Sequence, residues 1–207
     1  HNTSIIRGSQ FIPDTGLTIE FLLRPGYNFD GEDIVWSQNG SFTVRMGYPY
    51  ITFYTNTYTN ANVKVFDEFK INLTDIGRKS YGYYIDGNWH HMVFKMNPKT
   101  GVKQVWVDGE CPNGFSKTIS TLNTTFNPGQ FNSIYITTNT SYLAYHGHLD
   151  EMAFYTYDLH PNMIYKHFKN FDNHQPYNFT WTTTAPPAPQ PVTAGIDINE
   201  YAPGHPN

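Results

Sequence analysis

Two things are scarce in this sequence: charge and cysteine. Charged residues are 14% of the 207, and 13 Lys and Arg against 17 Asp and Glu leave a formal net charge of -4. No run of Lys or Arg occurs. The electrostatic footprint of a nucleic-acid binder or an anionic-membrane patch is therefore missing, and nucleic acid is set aside as a partner. The single cysteine excludes an internal disulfide framework and a thiolate-rich zinc cluster. Cys111 stands between Glu110 and Pro112, just after an Asp-Gly turn, and is read as a buried or semi-buried spectator. No apolar stretch approaches the roughly 20 residues that span a bilayer. The chain opens at His1 with neither Met nor signal peptide, so the expectation is a mature or excised fragment. Internal repeats are also missing, which argues against a propeller or solenoid.

Aromatic residues, at 17%, are plentiful. Alternating polarity recurs in short runs bounded by Gly, Pro, Asn and Asp, the pattern of half-buried antiparallel strands. Leu17 to Leu23 places Ile19, Phe21 and Leu23 on one face. Asp33 to Ser37, Ser41 to Met46 and Tyr50 to Tyr54 form a meander through turns at Asn39-Gly40 and Gly47-Tyr48-Pro49. Trp89 to Met96 and Val102 to Val107 flank Asn97-Pro98-Lys99-Thr100-Gly101, whose Pro and Gly suit a hairpin loop. Ser133 to Thr137 and His148 to Tyr155 add two strands, while Phe66 to Tyr84 mixes strand and loop signals. One segment reads as helical, Asn162 to Phe168 after Pro161, with one or two turns expected.

The predicted fold is all-β: a two-sheet antiparallel jelly-roll sandwich with one short helix near the C-terminal end, over residues 1–181. From Thr182 the run Thr-Thr-Thr-Ala-Pro-Pro-Ala-Pro-Gln-Pro favours extended polyproline conformation, so 182–207 is expected to be a Pro-rich linker and tail. That tail is expected to order only by docking on its own domain, a neighbouring domain or another subunit. Ile196, Ile198 and Tyr201 would supply its apolar contacts.

Three motifs carry a family resemblance. Asp86-Gly87-Asn88-Trp89-His90-His91-Met92-Val93-Phe94 resembles the laminin G-like hallmark in which a Gly-x-Trp-His-His turn opens a central strand. Lys103-Gln104-Val105-Trp106-Val107-Asp108-Gly109-Glu110 is similar to the family's next strand and its Asp-Gly turn. Gly147-His148-Leu149-Asp150-Glu151-Met152-Ala153-Phe154-Tyr155 is similar to the closing strand, with Leu159 to Phe168 similar to the short helix after it. Leu17 to Phe21 resembles the early core strand, so the likeness to the laminin G-like and concanavalin A-like lectin–glucanase superfamily covers Asn2 to Tyr177. It implies a recognition module, and a rim metal site that Asp150 could join.

Side chains alternate along a strand, so His90 and His91 must point to opposite faces and cannot ligate one metal; structural roles are expected, one satisfied inside and one facing outward. Related glucanases use alternate carboxylates on one strand face. Asp150 and Glu151 are adjacent, the position three after Glu151 is Phe154, and no other run offers alternating acids. No Gly-x-Ser-x-Gly elbow, phosphate loop or His-Glu-x-x-His helix occurs, so no catalytic residue is assigned and the chain is read as a non-enzyme.

A structural calcium ion is the cofactor considered, with Asp30, Glu32 and Asp150 as ligands and Asp33 in the same loop. Sugars stack on aromatic rings while Asn and Asp take their hydroxyls. Tyrosines cluster at Tyr48, Tyr50 and Tyr54, at Tyr81, Tyr83 and Tyr84, and at Tyr142 and Tyr145; Tyr81 and Tyr83 with Trp36 and Trp106 are the chosen ligand-binding residues. Sequons stand at Asn2, Asn39, Asn72, Asn123, Asn139 and Asn178. The leading expectation is a non-catalytic carbohydrate- or glycoconjugate-binding module of a larger secreted or cell-surface protein, with a glycan or glycoprotein partner. The alternatives are a structural or assembly module of a surface layer, filament or adhesion protein, and an accessory domain of a glycoside hydrolase.

Overall fold

A computed structural model describes residues 3–6, 15–25, 32–37, 40–47, 50–72, 87–126, 133–136 and 147–173. The strands among them are β1 (Thr3–Ile6), β2 (Leu17–Pro25), β3 (Glu32–Ser37), β4 (Phe42–Gly47), β5 (Tyr50–Tyr58), β6 (Lys64–Asn72), β7 (His90–Asn97), β8 (Val102–Val107), β9 (Ser116–Thr118), β10 (Ser133–Ile136) and β11 (Gly147–Tyr155), followed by one helix, α1 (Pro161–Asp172). They form an antiparallel sandwich of a six-stranded sheet, β1-β10-β3-β4-β5-β6, and a five-stranded sheet, β11-β2-β7-β8-β9. The tail, Thr182 to Asn207, lies outside the described residues.

The expected strands are present, and several run longer than their sequence signal. β1 and β9, at four and three residues, are too short to show alternation. The first part of the ambiguous Phe66 to Tyr84 stretch is the edge strand β6, paired with β5 from Tyr50↔Asn72 to Tyr58↔Lys64. Its outer positions are Lys64, Phe66, Glu68 and Lys70, and these charges blur the hydrophobic pattern while blunting an exposed sheet edge. The β7–β8 loop is the expected hairpin: Gly101 adopts φ +70 and donates its N–H to the Asn97 carbonyl at 2.8 Å. Asn97 Oδ1 accepts from the Lys99 and Thr100 amides at 3.0 and 3.2 Å, which closes the turn.

The helix is longer than the one or two turns expected. Pro161 opens it, His160 caps it, and it runs for 12 residues because nothing breaks the pattern before Asn173, whose N–H donates to the Lys169 carbonyl. Lys169 to Asp172 contribute no fully buried residue, so this last turn leaves no mark in the sequence.

One core fills the space between the sheets. Leu17, Ile19, Phe21 and Leu23 of β2, Met92, Phe94 and Met96 of β7, and Val105 and Val107 of β8 meet Phe42, Val44, Ile51, Phe53, Phe69 and Ile71 from the facing sheet. Phe94 is the junction, stacked on Phe21 and edge-on to Phe53, each at 5.8 Å between ring centroids.

A polar tie joins the two layers on the β6 side. Lys103 of β8 is fully buried; its Nζ donates to the Phe53 carbonyl at 2.7 Å, to Thr55 Oγ1 at 3.0 Å and to Asp67 Oδ2 at 2.9 Å. Lys117 Nζ holds the other oxygen of Asp67 at 2.6 Å. Burial pushes the Lys103 ammonium down to about 8 although Asp67 opposes the shift. Removing one partner of such a pair leaves the other charge buried without compensation. Asp67→Ala should therefore lower the unfolding free energy by about 2–4 kcal/mol in urea titration; a loss under about 1 kcal/mol would show the tie to be incidental.

Candidate functional site

Two regions have the chemistry to be considered, one buried and one open. The buried one lies between the five-stranded sheet and α1. Strand alternation that sends Ile19 and Phe21 into the core sends Glu20 to the other face, and the same alternation on β7 sends His91 there and His90 inward. The paired histidines do take opposite faces. His91, however, does not reach solvent: it is fully buried because α1 covers that face of the sheet.

Glu20 is equally buried and gathers donors from three elements. His91 Nε2 stands 2.6 Å from Oε1, His167 Nδ1 of α1 lies 2.9 and 3.1 Å from the two oxygens, and the Tyr155 hydroxyl of β11 donates to Oε2 at 2.9 Å. Phe168 stacks on the His91 ring and also lies on Gly109, where any Cβ would come within 2.8 Å of its ring. The Asp108-Gly109 turn therefore needs glycine for its φ of +76 and for this close approach. Asp108 is more than a turn residue: Oδ1 accepts from the His91 amide and Oδ2 pairs with His90 Nδ1, both at 2.9 Å. Burial pushes the Glu20 carboxyl up, but the donors His167 and His91 outweigh it and hold it at about 2. A carboxylate so acidic is no general acid, and with both oxygens occupied and no exposure it offers a substrate nothing to approach. This constellation fastens the helix.

The open region is the outer face of the six-stranded sheet. Val44, Ile51, Phe53, Phe69 and Ile71 point inward, so Thr43 and Arg45 of β4, Tyr50, Thr52 and Tyr54 of β5, and Phe66, Glu68 and Lys70 of β6 point out. Pairing register sets them in rows across the strands: Thr43 opposite Tyr54 opposite Glu68, and Arg45 opposite Thr52 opposite Lys70. Tyr54 and Phe66 stack at 6.0 Å with an interplanar angle of 25°, and Phe66 is 58% exposed. Lys70 Nζ lies 3.8 Å above the Tyr50 ring. The face thus alternates aromatic rings with hydroxyl, guanidinium, ammonium and carboxylate groups along paired strands.

The residues expected from sequence fall in different places. Trp36 lies in β3 of the six-stranded sheet, opposite Thr43 and Tyr135, whereas Trp106 lies in β8 of the five-stranded sheet. Trp106 packs with Val93 and the helix side, its indole N–H donating to Gln104 Oε1 at 3.3 Å, so the two tryptophans do not share a surface. Tyr81, Tyr83 and Asp30 lie outside the described residues. Glu32 stands at the start of β3 and Asp150 in β11, on different sheets. Asp150 Oδ1 accepts the Glu151 amide at 2.9 Å, at a bulge where Glu151 takes φ +48. Among the described residues no cluster of three His, Cys, Asp or Glu side chains is placed to hold a metal ion. Sequence reasoning named Tyr50 and Tyr54 as a cluster but missed Phe66, which only the β5–β6 register brings against Tyr54.

No family model and no curated protein matches the chain. Solved structures do. The botulinum neurotoxin serotype G binding domain is similar with a TM-score of 0.59 at 14% identity, over 81% of this chain and 40% of that one. A botulinum neurotoxin type C structure, described as showing that cell entry depends on two ganglioside molecules, gives 0.54 at 11% identity over 82% and 39%. The neurotoxin DC binding domain in complex with rat synaptotagmin II gives 0.55 at 12% identity over 82% and 40%. Identities this low establish a shared fold, and the chain spans about 40% of these neighbours.

The Glu20 cluster has a measurable pH signature. A carboxyl that is held at about 2 when folded and returns to its ordinary value of 4.5 when unfolded contributes stability that is complete above 4.5 and lost as pH falls toward 2. Its size is about 3 kcal/mol at neutral pH. Glu20→Gln should remove that amount and flatten the decline between pH 4.5 and 2 in chemical denaturation; an unchanged acid limb would show that Glu20 is not held as described.

Proposed function

We propose that this chain is a non-catalytic carbohydrate- or glycoconjugate-binding module of the laminin G-like kind, working outside the cell as part of a larger protein. The observation that carries the reading is the outer face of the six-stranded sheet, where half-buried Tyr54 stacks on exposed Phe66 among Thr43, Arg45 and Glu68. Aromatic rings offer a platform for the C–H face of a sugar, and the flanking polar groups offer partners for its hydroxyls. The similar neurotoxin structures support the reading by analogy, since one is described with gangliosides and another in complex with rat synaptotagmin II. Trp36 is part of the proposal through its place opposite Thr43; Tyr81 and Tyr83 remain expected contributors. A calcium ion on Asp30, Glu32 and Asp150 also belongs to the proposal. Comparing binding in Ca²⁺ with binding in a chelator decides that part.

A glycan-array screen followed by calorimetry tests the reading. At least one oligosaccharide or glycolipid headgroup should bind, and Tyr54→Ala and Phe66→Ala should each weaken it about tenfold, the loss of one stacking contact of roughly 1–1.5 kcal/mol. Both side chains lie on the open face, so the thermal midpoint should hold. A bound glycan unaffected by either change would place the site elsewhere, and no binding across the array would favour an assembly role.

A further inference from the structure

The sequon Asn123-Thr124-Thr125 lies in the connection between β9 and β10, and the structure sorts its three residues by exposure. Thr124 is buried, at 1% exposed; its amide and its hydroxyl both donate to the Pro98 carbonyl, at 3.0 and 3.1 Å. Asn123 and Thr125 on either side are exposed. The Asn123 amide donates to the Lys99 carbonyl at 3.0 Å, and Thr125 exchanges backbone hydrogen bonds with Tyr58 at 2.8 and 2.9 Å. Every backbone donor of the sequon is thus satisfied inside the fold. Asn123 adopts φ +54, a left-handed conformation that Asn tolerates well, and its carboxamide takes part in none of the described hydrogen bonds.

An N-linked glycan requires an acceptor Asn that projects from the surface, a hydroxyl two residues on, and any residue but proline between them. Here the anchored middle residue turns both functional members outward, so a glycan on Asn123 costs the finished fold no hydrogen bond. Asn72 contrasts with it: it is half-buried at the end of β6, and the rest of its sequon lies outside the described residues, as do the acceptor residues Asn2, Asn39, Asn139 and Asn178. We propose that Asn123 is an N-glycosylation site. The donor class is a polyprenyl-pyrophosphate-linked oligosaccharide. The bond from its anomeric carbon to the pyrophosphate oxygen breaks, a bond from that carbon to Asn123 Nδ2 forms, one amide proton leaves, and the lipid pyrophosphate departs. The transferase is external; this chain supplies only the acceptor.

The test is secretion of the full chain from a eukaryotic cell, then peptide mapping by mass spectrometry after amidase release of N-glycans in ¹⁸O-labelled water. The majority of the peptide carrying Asn123 should convert to ¹⁸O-labelled Asp. Thr125→Ala and Asn123→Asp should abolish that label, and Asn123→Asp, which keeps a side chain suited to the left-handed turn, should leave the thermal midpoint unchanged. Recovery of the Asn123 peptide mostly unmodified, whether or not other sequons carry glycan, overturns the proposal.

Discussion

A single carboxylate organises one whole side of this protein. Moving an ion such as Glu20 out of water costs several kcal/mol even after relaxation, so the fold tolerates it only because His91, Tyr155 and His167 arrive with well-placed donors. Those donors come from β7, β11 and α1, which are far apart in sequence, and each must be in place for the charge to be compensated. Fixing His167 fixes the helix, and the helix in turn sets Phe168 over His91 and Gly109 and seats Met163 and Ile164 against Val93 and Leu159. The apolar cluster beneath the helix is separate from the inter-sheet core and centres on Val93, Leu159, Met163 and Ile164. The directional hydrogen bonds of the polar cluster fix the register at which the helix docks on that apolar patch.

This arrangement leaves the two outer faces of the sandwich with different fates. The five-stranded sheet gives part of its outer face to α1 and the Glu20 cluster, and Trp106 is drawn into that packing with Lys95 5.9 Å from its ring. The described helix does not cover the six-stranded sheet, whose outer face keeps Phe66 and Tyr50 accessible. On the inner side Lys103, Asp67 and Lys117 tie the edge strand β6 to the facing sheet, which holds Phe66 and Lys70 in register with Tyr54 and Thr52. The proposed ligand surface thus rests on a strand that would otherwise be held on one edge only.

Much of the architecture was legible from short-range patterns. Alternation in Leu17 to Leu23, the glycine at the end of the β7–β8 loop and the Asp-Gly turn each reflect a local backbone demand. What stayed hidden depends on partners distant in sequence. Glu20 sits at a position that alternation assigns to the outer face, where an acid ordinarily meets water. Nothing near it in the chain announces that His167, 147 residues later, will cover it. The same cause turned His91 from an outward residue into a buried one and gave Asp108 two partners beyond its turn. The site was legible only in part: the tyrosines of β5 stood out as a cluster, but Phe66 lay in a stretch whose charges masked the strand. Trp36 and Trp106 are alike in type, and only the topology separates them into different layers.

On the proposed reading, ligand meets the outer face of the six-stranded sheet while the helix-covered face serves the fold. Amide chemical-shift mapping of the labelled chain during titration with the tightest-binding oligosaccharide addresses it directly. Perturbations should concentrate at Thr43, Arg45, Thr52, Tyr54, Phe66 and Glu68, with His91, Val93 and the residues of α1 unmoved. Perturbations centred on α1 and Trp106, with the β4–β6 face silent, would contradict it.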